Sequence, residues 1–199
     1  MVEAARSKIH LALVHFPVYN KAGDIVASSI TTLDVHDIAR ICRTYAIHSF
    51  YVVTPLKTQQ ALVTRIIEHW RVGFGSEYNP TRKEALQLTR VKSSLDEVFR
   101  DIEAADGRKP RTIVTDARKF PQSTGYQKIR AELERDESFL LVFGTGWGLE
   151  RNLIRKADRV LDPIDGLSGY NHLPVRAAIA IILDRLLGGR PGPAGPGSA

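Results

Sequence analysis

A glycine-rich segment late in the chain is the strongest candidate for chemistry. Phe143-Gly144-Thr145-Gly146-Trp147-Gly148-Leu149-Glu150 directly follows the apolar run 139–142. Glycine adopts backbone angles that other residues avoid and carries no side chain, so a ligand can approach the main chain closely. A strand that ends in such a loop and leads into a helix often builds a nucleotide-sized pocket. A merely tight connection would show the same pattern, so one loop alone leaves both interpretations open.

A second loop that contains glycine follows shortly afterwards. It runs from Asp162 to Leu173 and leads directly into a predicted helix. Two such loops close together suggest one site built from both. The first loop lacks the Gly-Lys-Ser/Thr ending of a P-loop. Its Gly-x-Gly-x-Gly spacing also differs from the Gly-x-Gly-x-x-Gly pattern of dinucleotide-binding folds, so both phosphate-binding interpretations fit poorly.

The elements that must position these loops alternate along the chain. The apolar periodicity predicts strands at Ile9–Phe16, Ser49–Thr54, Leu86–Val91, Thr112–Thr115, Phe139–Phe143 and Arg159–Leu161. It predicts helices at Leu33–Tyr45, Leu56–Val72, Leu95–Ala105, Tyr126–Arg135, Leu149–Lys156 and His172–Leu187. Alternation predicts one α/β domain over residues 1–187, with a mainly parallel sheet and helices on both faces. Residues 188–199 are rich in glycine and proline and are predicted to be disordered.

Parallel strands bring the candidate residues to one edge of the sheet. Ligands of such sheets bind at the carboxyl ends of strands. The glycine loop, the segment 115–117 and the segment 162–164 all follow predicted strands. The long connection 18–32 is a further candidate, because loops of this length in a compact domain are often functional. Its hydroxyl run 28–32 could cap the following helix or contact a substrate.

Composition limits the classes of function. The 43% hydrophobic content over 199 residues is typical of a chain that buries one sizeable core. We expect no membrane span, because no apolar run reaches about 18 residues. The polar N-terminus is unlike a signal peptide. The single cysteine, Cys42, excludes an intramolecular disulfide and a cysteine-based zinc cluster, and we predict no metal site. A cytoplasmic protein with a buried structural thiol fits these features.

The charge distribution favours an anionic partner. The formal net charge is +6, and residues 40–130 hold 17 Lys or Arg against 9 Asp or Glu. Such an excess attracts polyanions and speeds the encounter with nucleic acid. A solvated surface that only keeps the protein soluble would show the same composition. Charge alone therefore leaves nucleic-acid binding open.

The motifs together resemble those of the SPOUT methyltransferases, in particular the TrmD-like branch of bacterial RNA methyltransferases. The glycine loop 143–148 is similar to their second motif, and the segment 170–181 (Tyr-Asn-His-Leu-Pro-Val-Arg-Ala-Ala-Ile-Ala-Ile) is similar to their third. The helix segment Asp37–Thr44 resembles the first motif, Asn-x-x-x-x-x-Arg. In that alignment Asp37 replaces the asparagine and Arg43 is the arginine. The resemblance covers nearly the whole chain.

The resemblance implies several properties that the patterns do not show. It implies a deep trefoil knot in the C-terminal part, a rare exception to the rule that chains do not knot. It implies that S-adenosylmethionine (SAM) binds in that knot, mostly through backbone groups of the two loops. It further implies a homodimer, with the last helix near the interface, and an RNA substrate, most often transfer or ribosomal RNA.

The resemblance also implies which residues form the site. The implied cofactor-binding residues are Thr115, Gly144, Thr145, Gly146, Gly148, Leu149, Asp162, Pro163, Ile164, Tyr170, Asn171, His172 and Leu173. Arg43 is the implied residue for orienting the acceptor or an RNA phosphate, because a guanidinium makes forked hydrogen bonds. Asp37 or Asp34 could act as the base. Each of these three also fits a structural role, as an ion pair, a helix cap or a solvated acid.

Methyl transfer from a sulfonium requires mainly that donor and acceptor are positioned, so a metal or a covalent nucleophile is not needed. The resemblance implies a SAM-dependent methyltransferase that acts on tRNA or rRNA, and the sequence fits it because it shows no metal or nucleophile motif. One alternative is a knotted RNA-binding or assembly protein that has lost catalysis. Another is a nucleotide enzyme with a Rossmann-type fold.

Overall fold

The structure is a computed structural model that describes residues 7–72, 79–168 and 170–189. Most of the predicted disordered tail, from residue 190 onward, lies outside the described residues. Strands and helices alternate as the sequence predicts. The strands are β1 (Lys8–Val14), β2 (Val18–Tyr19), β3 (Ile25–Val26), β4 (Ser49–Val53), β5 (Thr89–Lys92), β6 (Arg111–Val114), β7 (Ser123–Thr124), β8 (Ser138–Gly144) and β9 (Arg159–Leu161). The helices are α1 (Thr32–Thr44), α2 (Lys57–Arg71), α3 (Pro80–Leu86), α4 (Leu95–Asp106), α5 (Tyr126–Glu132), α6 (Arg151–Lys156) and α7 (Val175–Leu187).

Seven of the strands form one sheet in the order β5-β4-β1-β8-β6-β9-β7, and all neighbouring pairs are parallel. Strand β1 lies inside the sheet, where Leu11 is paired with Phe50 of β4 and with Leu141 of β8. Strands β1 and β8 are buried along almost their whole length, as expected for apolar strands covered on both faces. The prediction of a mainly parallel α/β sheet is confirmed.

Helices cover both faces of this sheet, as predicted. Helices α1, α2, α3, α5 and α7 pack on one face and share a core with strand residues such as Leu11 and Phe50. Helices α4 and α6 pack on the other face, over strand residues such as Ala12 and Tyr51. Successive strand residues enter opposite cores because side chains alternate along a strand. Fully burying a side chain such as Leu11 contributes about 1.5–3 kcal/mol.

The start of α1 is fixed by a hydroxyl, as the sequence predicts. Thr31 Oγ1 accepts a hydrogen bond from the backbone N–H of Asp34 at 3.1 Å, and its own O–H donates to the Asp34 carboxylate at 2.6 Å. Such a cap contributes about 1 kcal/mol. The cap also fixes the position of the Asp34 side chain in the first turn of the helix.

The region before β5 differs from the sequence prediction. The predicted strand Leu86–Val91 begins only at Thr89, because Pro80–Leu86 forms helix α3. Asn79 caps this helix, since its side-chain oxygen accepts the backbone N–H of Arg82 at 3.0 Å. The proline at the first helical position is compatible with a helix start, because no intrahelical N–H is required there. The helix-start signals at Asn79 and Pro80 therefore determine the structure here, rather than the short apolar run that predicted a strand from Leu86.

The last helix begins three residues later than predicted, at Val175 rather than His172. Pro174 is its N-cap, and a proline disfavours helical angles in the preceding residue. His172 and Leu173 therefore belong to the loop before the helix. The predicted connection 18–32 also differs, because it contains the short antiparallel pair of β2 and β3. No described helix has the length and apolar content needed to cross a membrane.

Candidate functional site

A cavity of about 790 Å³ lies where the carboxyl ends of β6 and β8 face the start of α7. Its wall combines the glycine loop, the turn after β6, the loop before α7 and the hydroxyl-bearing residues Ser28 and Ser29. Cofactor and small-molecule sites usually occupy roughly 300–1,000 Å³ and carry a few polar groups on a mainly apolar wall. Both the size and the position at the carboxyl edge of a parallel sheet fit a cofactor site.

Both predicted loops contribute to this one cavity. The predicted residues that line it are Thr115, Gly144, Thr145, Gly146, Gly148, Ile164, Asn171, His172 and Leu173. Asn171 connects two parts of the wall, because its side-chain amide donates to the carbonyl of Ala117 at 2.8 Å. The loops that the sequence placed at the same edge of the sheet therefore lie together.

Four of the predicted cofactor residues lie outside the lining. Leu149 is fully buried, and its side chain packs at the place where Gly144 lacks a Cβ, so it belongs to the core. Pro163 is also buried, and Asp162 faces Lys119 at 3.7 Å. Tyr170 lies at the surface, where 72% of its area is exposed. The resemblance implied that these four residues bind the cofactor, and that assignment remains a prediction, because none of the four lines the cavity.

Backbone hydrogen bonds hold the glycine loop against the start of the connection 18–32. The N–H of Trp147 donates to the carbonyl of Tyr19, and the N–H of Tyr19 donates to the carbonyl of Gly148, both at 2.9 Å. Gly146 has a φ of +60°, and a Cβ there would lie 2.9 Å from the same Tyr19 carbonyl oxygen. Gly146 is thus required by the contact between two loops, whereas the sequence suggested that a ligand needs the space.

A chain of hydroxyl groups continues this attachment. Thr145 Oγ1 donates to the carbonyl of Val14 at 3.0 Å and lies 2.5 Å from Ser28 Oγ. Ser28 Oγ in turn lies 2.9 Å from Nδ1 of the buried His15. Burial lowers the pKa of His15 to about 4, since charging the imidazole away from water is costly. His15 is therefore neutral near pH 7, and its contact with Ser28 supports the cavity wall.

One carboxylate of α1 reaches the cavity, and it is Asp34 rather than Asp37. Asp34 is 8% exposed and accepts hydrogen bonds from Thr31 and from Arg176 Nη1, the latter at 3.3 Å. Arg176 also lies 3.5 Å from the carboxylate of Asp37, which is outside the lining. Arg176 thus holds two acidic side chains, of which only Asp34 faces the cavity.

Arg43 lies in the last turn of α1, away from the cavity. Its guanidinium pairs with Glu84 of α3, and both side chains are half-exposed. This arrangement matches the surface ion pair that the sequence left open. The assignments of Arg43 and Asp37 as catalytic residues remain predictions.

Sequence reasoning missed several residues of the cavity wall. Asp116 and Arg118 line it as a pair, with the guanidinium donating two hydrogen bonds of 2.8 Å to the carboxylate. The side chain of Trp147 also lines it, although the sequence assigned only its neighbours. The remaining apolar wall comes from Phe143, Pro174, Val175, Ala178 and Ile182. The apolar stripe of α7 could have identified the last three as lining candidates.

Cys42 is not part of the site. Its thiol is buried in the core under α1, and burial raises its pKa. A thiol that resists deprotonation is a poor nucleophile, so the structural role predicted for it is favoured. Among the described residues no group of three or more His, Cys, Asp or Glu side chains could hold a metal ion.

The fold and the cavity define a class: an α/β protein with a cofactor-sized site at the carboxyl edge of a parallel sheet. Residues 8–188 match the sequence model of a family described as SAM-dependent RNA methyltransferase. The chain belongs to this family, whose members are enzymes that use SAM as cofactor.

Two relatives are similar to the chain over most of its length, and one of them is named as a methyltransferase. The chain is 45% identical over 179 residues to an uncharacterized protein of Aquifex aeolicus, covering 89% of the chain and 87% of that protein. It is 43% identical over 180 residues to a tRNA (guanine-N(1)-)-methyltransferase of Oleidesulfovibrio alaskensis, covering 90% of the chain. The match spans only 42% of the length of this second relative.

Solved structures show the same fold at low sequence identity. A methylase family protein from Neisseria gonorrhoeae is similar with a TM-score of 0.63 and 16% identity, covering 97% of this chain and 87% of that one. The SpoU methyltransferase AviRb from Streptomyces viridochromogenes, solved with AdoMet, is similar with a TM-score of 0.56 and 15% identity, covering 94% and 60%. These structures show the fold alone, whereas the membership in a family of SAM-dependent RNA methyltransferases that the motifs implied is confirmed by the family model.

Proposed function

We propose that this chain binds SAM in the cavity between the glycine loop and the start of α7 and transfers its methyl group to RNA. The observation that carries the proposal is the meeting of both motif loops around one cofactor-sized cavity. SAM, when bound, supplies a methyl group that an attacking oxygen or nitrogen takes in a single displacement. The protein's contribution to such a reaction is mainly to position the two partners.

The donor set of the cavity fits SAM. An adenine ring needs an apolar wall with backbone groups at its edge, which Ile164, Leu173 and Val175 and the loop around them offer. The sulfonium and the amino group are cationic, and the carboxylates of Asp34 and Asp116 line the same cavity. The glycine loop brings main-chain N–H and C=O groups to the wall without intervening side chains.

Asp34 is the group that we propose for the acceptor side of the site. Its carboxylate is held in place by Thr31 and Arg176, so its orientation is fixed before a substrate binds. Asp116 is less available, because Arg118 forms a two-pronged ion pair with its carboxylate through two hydrogen bonds of 2.8 Å, whereas Arg176 makes a single, longer hydrogen bond of 3.3 Å to Asp34. Asp34 thus orients the attacking group and accepts its proton where the acceptor must lose one.

The substrate that we propose is RNA, with tRNA and rRNA as the two classes considered. The family description and the net charge of +6 support it. The guanine-N(1) activity in the name of the Oleidesulfovibrio alaskensis relative belongs to a protein more than twice as long as the match. The proposal therefore does not include the guanine position.

We also propose that the C-terminal segment is threaded as a trefoil knot, as the resemblance implies. Two features support this proposal. The loop before α7 returns to the turn after β6, where the Asn171 side chain donates to the Ala117 carbonyl. In addition, β9 lies between β6 and β7 in the sheet. A crystal structure provides the test, since a backbone that can be pulled straight from both ends without entanglement would contradict the proposal.

We propose a homodimer as the active unit. Leu33 of α1 and Leu173 before α7 are 60% and 44% exposed, and α1 packs against α7, so apolar side chains cluster beside the cavity. A partner covering them would remove this apolar area from water. Sedimentation equilibrium tests the assembly, and a monomer at all concentrations would refute it.

The cofactor site is tested by partially filling the cavity. Ala178 of α7 lines it, so Ala178→Leu places a larger side chain in the space assigned to SAM. We expect calorimetric titration to show SAM affinity weakened by about tenfold or more, because overpacking costs about 1–3 kcal/mol. Ala104→Leu is the matched control, since Ala104 is exposed on α4, which covers the opposite face of the sheet.

The outcomes separate the candidate functions. Equal SAM affinity in the wild type and both variants would place the cofactor elsewhere. SAM binding without transfer of labelled methyl groups to total cellular RNA would favour the RNA-binding protein without catalysis. Binding of NAD or ATP, but not SAM, would favour a nucleotide enzyme. Mass spectrometry of RNA nucleosides from cells with and without the gene identifies the modified nucleotide.

A further inference from the structure

Three aromatic rings cluster at the mouth of the cavity. Trp147 follows Gly146, while Tyr170 and His172 belong to the loop before α7. The ring centroids of Tyr170 and His172 lie 5.3 Å apart, and those of Trp147 and His172 lie 6.4 Å apart. We call these three side chains the aromatic cluster.

The aromatic cluster is unusually exposed. Trp147 is 53% and Tyr170 is 72% exposed, although most large apolar side chains of the described residues are buried. An exposed tryptophan beside an exposed tyrosine contributes little to folding, because little of its apolar area leaves the water. Large exposed aromatic surfaces beside a cavity commonly mark an interaction site.

The backbone beneath the aromatic cluster is nevertheless held in place. The N–H of Trp147 is bonded to the Tyr19 carbonyl at 2.9 Å. The side-chain amide of Asn171, between the other two rings, donates to the Ala117 carbonyl at 2.8 Å and so attaches this part of the loop to the turn after β6. Rings on a fixed backbone lose little conformational entropy on binding, which makes them effective contact residues.

Positive charge lies next to the aromatic cluster. Arg118 lines the same cavity, where its guanidinium is paired with Asp116, and it follows Ala117, whose carbonyl accepts a hydrogen bond from the Asn171 side chain. The neighbouring Lys119 is largely exposed, with Asp162 at 3.7 Å. Exposed aromatic rings combined with cationic side chains are the usual means of binding single-stranded nucleic acid, since bases stack on the rings while cations attract phosphates.

We infer that the aromatic cluster is a stacking platform for an unpaired base of the RNA substrate, next to the nucleotide that accepts the methyl group. The inference rests on the proposed function and narrows its substrate to nucleotides in loops, bulges or single strands. Inside a duplex both faces of each base are covered by neighbouring pairs, so an internal base stacks on Trp147 only when it is unpaired and leaves the helix. Tyr170 then contacts RNA rather than the cofactor.

Intrinsic fluorescence gives a direct test, because the chain contains only two tryptophans, Trp70 and Trp147. In a Trp70→Phe background, Trp147 is the single tryptophan reporter. We expect single-stranded oligoadenylate to quench its emission in a saturable way, and an RNA duplex of the same length to leave it unchanged. Fluorescence anisotropy of labelled oligoadenylate reports binding independently of the tryptophan.

Variants at Tyr170 complete the experiment. Tyr170→Ala should weaken oligoadenylate binding by about tenfold, as expected for the loss of one stacked ring. Tyr170→Phe retains the ring and should restore binding. Calorimetry should give the same SAM affinity for both variants and the wild type, since Tyr170 lies outside the cavity lining.

Several results would overturn the inference. It fails if oligoadenylate does not bind, if it binds without quenching Trp147, or if the duplex quenches equally. It also fails if Tyr170→Ala weakens SAM binding as strongly as RNA binding, because the ring would then be a cofactor contact. A changed sedimentation coefficient with unchanged RNA affinity would assign the rings to contact between two copies of the chain. If the stacking inference alone fails, the wild-type protein still binds SAM. If the proposed function fails, the wild-type protein does not bind SAM.

Discussion

Replacing Gly146 by alanine tests the claim that contact between two distant loops shapes the cofactor site. Gly146 has a φ of +60°, and an added Cβ would lie 2.9 Å from the carbonyl oxygen of Tyr19. That oxygen also accepts the N–H of Trp147. The alanine would therefore push the glycine loop and the start of β2–β3 apart at the hydrogen bond that joins them.

The expected cost has two parts. A non-glycine residue in the left-handed region costs about 1–2 kcal/mol. Weakening the hydrogen bond between Trp147 and Tyr19 adds about 0.5–1.5 kcal/mol. The free energy of unfolding should thus fall by about 1.5–3.5 kcal/mol. The displaced loop should weaken SAM binding by about tenfold. Gly146→Val, with a branched side chain, should abolish SAM binding.

Gly107→Ala provides the matched control. Gly107 caps α4 with a φ of +72°, and a Cβ there would meet no atom within 4 Å. It carries the same backbone strain without the close contact, so it should cost only about 1–2 kcal/mol and leave SAM affinity unchanged. Urea unfolding and calorimetric titration of both variants measure the difference. Equal destabilisation, or SAM affinity unaffected by Gly146→Ala, would refute the role of the loop contact.

Two further predictions concern α1 and its surroundings. Arg43→Ala should change stability little and SAM affinity not at all, because a half-exposed ion pair with Glu84 contributes at most about 1 kcal/mol. We expect anisotropy to show weaker tRNA binding by Arg43→Ala, with the slope of log affinity against log salt concentration reduced by about 1, and no weakening by the control Glu84→Ala. Unchanged tRNA binding by Arg43→Ala would leave Arg43 with the ion-pair role alone. Below pH 6.5 the unfolded chain protonates His15 more readily than the folded chain, whose His15 has a pKa of about 4, so stability should fall by at most about 3 kcal/mol as the pH drops toward 4. His15→Asn should lose this part of the pH dependence in urea unfolding, and an unaltered profile would contradict the assignment.

The sheet and the meeting of the two motif loops could be predicted from the sequence. Strands β1 and β8 are nearly continuous apolar runs, which is typical of parallel strands covered on both faces. Once the sheet is parallel, the glycine loop and Thr115 must share its carboxyl edge. The second loop joins them because it follows β9, which pairs with β6.

The position of α1 relative to the cavity could not be predicted from periodicity. Helical spacing shows which residues share a face, but it does not show which end of the helix reaches the site. The cavity lies at the first turn, beside Asp34, and nine residues of helix place Arg43 about 13 Å farther along the axis. The motif match therefore grouped Asp37 and Arg43 with a cavity that neither residue lines.

Trp147 takes part in both proposed binding sites, with its backbone N–H beside the SAM site and its ring in the RNA site. Its N–H fixes the glycine loop by bonding to Tyr19, while its ring is half-exposed at the cavity mouth beside His172. A substitution of the Trp147 side chain leaves its N–H in place. The glycine loop then keeps its bond to Tyr19, while the exposed surface formed by the ring changes. Under the two proposals, substitutions of the rings at residues 147 and 170 therefore change RNA recognition, while the glycine-loop backbone beside the proposed SAM site keeps its hydrogen bonds to Tyr19.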